Sequence, residues 1–118
     1  MSVQSGRYTA AVSPRIAEGW VLERLTPPSR LFGANGLRTG PDGRIYVAQV
    51  SGSQISAVDI TSGAIETISP KGGDIVGPDD LVFDPDGNLY VTEITEGRGS
   101  VRAPGGPARG LCGDMPGA

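Results

Sequence analysis

Asn35 and Asp79, two oxygen-bearing side chains 44 positions apart, are the residues in this sequence most suited to chemistry. They stand in similar settings, Asn35-Gly36-Leu37 and Asp79-Asp80-Leu81. The chain has no histidine and one cysteine, Cys112. It therefore cannot itself supply a Ser-His-Asp or Cys-His relay, an imidazole metal site or an intramolecular disulfide. What remains is the chemistry of carboxylates, amides, hydroxyls, Arg and Lys, or of a hard cation held by oxygen. Ca²⁺ is the first choice, with Mg²⁺ or Zn²⁺ as alternatives. Glu93 is a candidate general base, since no imidazole competes for that role; the plainer reading is a solvated or turn-linked carboxylate. For the pair, the plainer reading is a turn at Asn35-Gly36 and a strand-entry cap at Asp79-Asp80.

The pair belongs to a wider internal repeat. Shifted by 44, Pro41-Asp42-Gly43 falls on Pro85-Asp86-Gly87, Tyr46-Val47 on Tyr90-Val91 and Leu37 on Leu81. Ile45 falls on Leu89, Gln49 on Glu93 and Val50 on Ile94, all without a gap. About 40–45 residues is the length of one four-stranded propeller blade. The first unit divides into an innermost strand at 37–39, a Pro-Asp-Gly turn, strands at 45–50 and 55–60, and an outer strand at 64–68. The second repeats 81–83 and 89–94. After that, seven glycines and three prolines among residues 97–118 disfavour strands, leaving 101–102 and 111–112 as remnants. Residues 20–25 read as a further strand belonging to another blade, and residues 1–13 as a flexible arm. The expected fold is all-β: an incomplete β-propeller of about two four-stranded antiparallel blades spanning 14–118, with repeats at 35–78 and 79–118. Asn35 and Asp79 then enter innermost strands and converge on the channel mouth.

Composition narrows the partners. Ten basic against 13 acidic residues give a net charge of −3, without the concentrated basic face a nucleic-acid binder needs. No apolar run approaches the ~20 residues of a membrane helix, and no apolar leader precedes residue 14; a cytoplasmic setting is the expectation. Two blades leave sheet faces bare, because a propeller closes with four to eight. Three readings follow: a piece of a six-bladed protein, self-association through unpaired blade faces, or a compact β-domain of another kind.

The strings Asn35-Gly36-Leu37, Pro41-Asp42-Gly43, Ile45-Tyr46-Val47, and Pro78-Asp79, Leu81, Asp84-Pro85-Asp86-Gly87, Leu89-Tyr90-Val91 resemble motifs of the senescence marker protein/gluconolactonase/luciferin-regenerating-enzyme-like family. The resemblance covers mainly residues 33–96. It implies a divalent-metal-dependent hydrolase of lactones or related cyclic esters, with Asn35 and Asp79 as ligands of a central cation. Glu18 corresponds in part to a third ligand, but Trp20 stands where the family has proline, and Asp80 stands where it usually has glycine. The alternatives are a non-catalytic propeller binding module and an inactive truncated product.

Overall fold

The protein is described by a computed structural model covering residues 16–112; the arm expected over 1–13 lies outside the described residues. Among the described residues, eight strands form two four-stranded sheets. The first holds β1 (Ala34–Thr39), β2 (Ile45–Gln49), β3 (Gln54–Val58) and β4 (Ile65–Ser69). The second holds β5 (Pro78–Phe83), β6 (Leu89–Glu93), β7 (Arg98–Arg102) and β8 (Ala108–Cys112). Each sheet is antiparallel, with its strands in sequence order. No helix among the described residues is long and apolar enough to cross a membrane.

The tight turns work as the sequence predicts, with one exchange of roles. Gly43 and Gly87 take φ of +84° and +86°, where glycine has no side chain to strain. In the first hairpin Asp42 is the cap: its carboxylate accepts from Arg44 N–H at 3.1 Å and from the Tyr46 hydroxyl at 2.9 Å. In the second hairpin the cap is Asp84, not Asp86. It accepts from the N–H groups of Asp86 and Asn88, both at 2.9 Å, and from the Tyr90 hydroxyl at 3.2 Å. The position matching Asp84 in the first hairpin is Gly40, where a β-carbon would overlap the Tyr46 ring. An acid cannot fit there, so the cap moves two residues on.

The strands alternate, and the alternation builds the core. Tyr46 and Ala57, and Ala48 and Ile55, are cross-strand partners on one face of the first sheet. That face packs on Leu81, Leu89 and Val91 of the second sheet, with Ile75 from the connecting loop. Tyr46 meets Phe83 edge to face at 4.8 Å. Polar contacts fasten the same seam: Gly77 N–H donates to Ser53 Oγ at 3.0 Å, and Arg102 Nη1 to the Ile68 carbonyl at 3.0 Å.

Two expectations need correction. Residues 20–25 form no strand, and Trp20, Val21 and Leu22 are exposed. A strand requires a sheet edge to receive its hydrogen bonds, and no described strand pairs with this segment. The glycine-rich tail, by contrast, supplies two full strands, β7 and β8. Gly99 and Gly110 lie inside the ladder, and the register of β7 with β6 and of β8 with β7 outweighs their low strand propensity.

Candidate functional site

β1 and β5 are the innermost strands and lie side by side. Asn35 and Asp79 sit near their entrances, and the Asn35 Nδ2 amide donates to the Asp79 Oδ1 carboxylate. Residues separated by one repeat are thus brought into contact. Gly36 permits this: a β-carbon there would overlap the Asp80 carboxylate and crowd the Asp79 carbonyl. Asp80 is turned to other uses, accepting from Leu81 N–H at 2.8 Å and facing Arg38 at 3.9 Å. Glu18 lies exposed in a turn of the N-terminal segment.

Glu93 is neither solvated nor held by a turn. It is fully buried, and its carboxylate accepts from Val76 N–H at 2.8 Å, from Arg98 Nη2 at 2.9 Å and from the Ser100 hydroxyl. Arg98 also donates to the Asp74 carbonyl at 3.1 Å. The set fastens the 74–77 loop, which leads directly into Asp79. Arg98 and Arg102 are both engaged by backbone carbonyls. The 44-residue step could have revealed the set, because it maps Gln49, Gln54 and Ser56 onto Glu93, Arg98 and Ser100. In the first sheet Gln49 Nε2 donates to Ser56 Oγ at 2.7 Å, and Gln54 Nε2 to Gln49 Oε1 at 3.1 Å. Gln54 also donates to the Arg30 carbonyl at 3.2 Å, as Arg98 does to that of Asp74.

Burial opposes ionisation of Glu93, but the bonds from Arg98, Ser100 and Val76 outweigh it and hold the carboxyl below its ordinary value of 4.5. A carboxyl ionised more readily in the folded than in the unfolded chain contributes stability that is complete above the unfolded value. That contribution is lost as pH falls through the lower folded value. The melting temperature is therefore expected to fall below about pH 4.5. Glu93→Gln should flatten that acid limb in thermal melts read by circular dichroism; an unchanged limb would remove Glu93 as its cause.

The donor set fits a hard cation in kind but not in number. Asn35 and Asp79 offer side-chain oxygens on adjacent strands, whereas Ca²⁺ takes six to eight. No cluster of three His, Cys, Asp or Glu able to hold a metal occurs among the described residues.

Comparison with known proteins defines the class first. The two sheets are blades of a β-propeller: solved propellers superpose on them, at identities that speak for the fold alone. A catalytically inactive virginiamycin B lyase from Staphylococcus aureus with quinupristin matches with a TM-score of 0.62 and 20% identity, over 78% of this chain and 31% of that one. A streptogramin B lyase matches at 0.59 and 20%, over 71% and 28%. A selenomethionine-substituted virginiamycin B lyase from S. aureus matches at 0.56 and 18%, over 69% and 27%. The chain thus spans less than a third of the length of each. At the level of family, the strictosidine synthase-like N-terminal model matches residues 63–95, the stretch that carries Asp79. No curated protein matches.

Proposed function

We propose that these two blades form part of the channel mouth of a divalent-cation-dependent propeller hydrolase acting on lactones or related cyclic esters, with a small-molecule substrate. The observation that carries the reading is the contact between Asn35 and Asp79, equivalent residues on adjacent innermost strands. Asn35 Oδ1 and the Asp79 carboxylate would hold the cation. When bound, it supplies Lewis-acid polarisation of the ester carbonyl and a water acidic enough to attack. The chain's own residues position that pair: Gly36 allows the close approach, and Glu93 with Arg98 fixes the loop before Asp79.

A lyase like the structural neighbours is the competing reading. One of those neighbours is a catalytically inactive form with a histidine replaced by alanine. This chain contains no histidine, so its own residues could supply carboxylate, amide, hydroxyl, Arg or Lys chemistry to either reaction.

Calcium titration by calorimetry tests the site. Two protein ligands predict weak binding, with a dissociation constant on the order of 10⁻³ M. Asn35→Ala with Asp79→Ala should abolish it. A folded chain that binds no calcium, or whose binding survives both substitutions, would end the metal reading.

A further inference from the structure

The internal interface of this molecule joins two different faces of equivalent sheets, and the chain displays a second example of each face: one is open at Val82 and Leu111, the other at Leu37, where the neighbouring Val47 and Ser56 are already buried by the chain itself. On the outer face of the second sheet Val82 is 50% exposed and Leu111 54%. A cavity of about 480 Å³ opens there, with Tyr90 and Thr92 also in its wall. The 44-residue step makes Val82, Tyr90 and Thr92 the counterparts of Arg38, Tyr46 and Ala48. Of these, Tyr46 and Ala48 lie in the core that the second sheet covers, and Arg38 reaches Asp80. Conversely, Leu37 is 58% exposed, while its counterpart Leu81 is buried to 3% between the sheets. Arg38 faces Asp80 across the internal seam at 3.9 Å. Their counterparts are Val82 and Gly36, so both charges disappear together and an apolar side chain is set against a small one.

We propose that the outer face of the second sheet takes the first sheet of a second copy of this chain, head to tail, with three copies closing a ring. A head-to-tail contact closes when its rotation allows and otherwise grows as a filament. Propellers close with four to eight blades, and the matched part of this chain spans 31% of a lyase chain, so about three such units make one full circuit. In the ring each Asp79 stands beside its own Asn35 and the Asn35 of the next copy. Six oxygen-bearing side chains then alternate around the mouth, which makes good the shortfall in donors at the proposed cation site. That last consequence rests on the proposed function; the docking does not.

Light scattering and native mass spectrometry of the 12.1 kDa chain test the docking. The expected mass is three times the chain's. Leu37→Arg and Val82→Arg change exposed positions and leave the fold intact, so each alone should give monomers. Mixed in equal amounts they should give a one-to-one dimer, since the intact Leu37 face of one chain meets the intact Val82 face of the other. A monomeric parent chain, or trimers that survive both substitutions, would overturn the docking. A monomer that binds calcium would end the ring and leave the cation site standing. A trimer that binds none would uphold the ring and end the cation reading.

Discussion

Replacing Arg98 by Gln is expected to lower the unfolding free energy by about 2–3 kcal/mol, because it leaves a buried carboxylate without its cation. Glu93 is fully buried, and among the described residues Arg98 is the only positive charge bonded to it. Glu93→Gln alone is expected to cost about 1 kcal/mol: Arg98 keeps partial exposure and the Asp74 carbonyl, while Gln can still accept from Val76. The double variant is expected to cost less than about 1 kcal/mol, because it recreates the first sheet's set of Gln49, Gln54 and Ser56 at positions 93, 98 and 100. Urea denaturation of the four proteins forms a double-mutant cycle. Additive losses would show that the two sets are not interchangeable and that Arg98 acts elsewhere.

The second large effect is expected at Gly77. It has φ of +57° and lies where a β-carbon would overlap the Thr95 hydroxyl. Its N–H is also the donor that seats the connecting loop on Ser53. Gly77→Ala should cost about 3 kcal/mol, part from the left-handed backbone and part from the clash. Adding Thr95→Gly relieves only the clash and should leave the backbone cost of about 1 kcal/mol. The same loop leads into Asp79, so calcium affinity should fall with Gly77→Ala. Full stability in the single variant would mean that the loop relaxes freely and positions nothing.

Much of the fold was legible because a gap-free repeat places equivalent residues in equivalent strands. The Pro-Asp-Gly hairpins and the strong strands β2, β3 and β6 follow directly from alternation and turn chemistry. Strands β7 and β8 were not legible, because glycine lacks the side chains from which alternation is read; pairing of β7 with β6, and of β8 with β7, decides their conformation. Residues 20–25 misled for the opposite reason. Their composition suits a strand, but a strand also needs a neighbour, and local sequence does not say whether one is present. At the site, the convergence of Asn35 and Asp79 followed from the repeat. The burial of Glu93 did not, because a lone glutamate at a strand end usually faces water; its counterpart Gln49, beside Ser56, was the overlooked signal.

Similar repeats in one polypeptide risk joining a strand of one to a strand of the other while the chain is still collapsing. Here the two polar sets have different electrical characters. Were β6 to settle beside β3 in place of β7, Glu93 would lie opposite Gln54 and be entombed as a lone anion. Were β2 to settle beside β7, Arg98 would face only an amide. The Glu93–Arg98 pair thus acts as an address label, rejecting swapped partners that the shared Tyr-Val strands would otherwise accept.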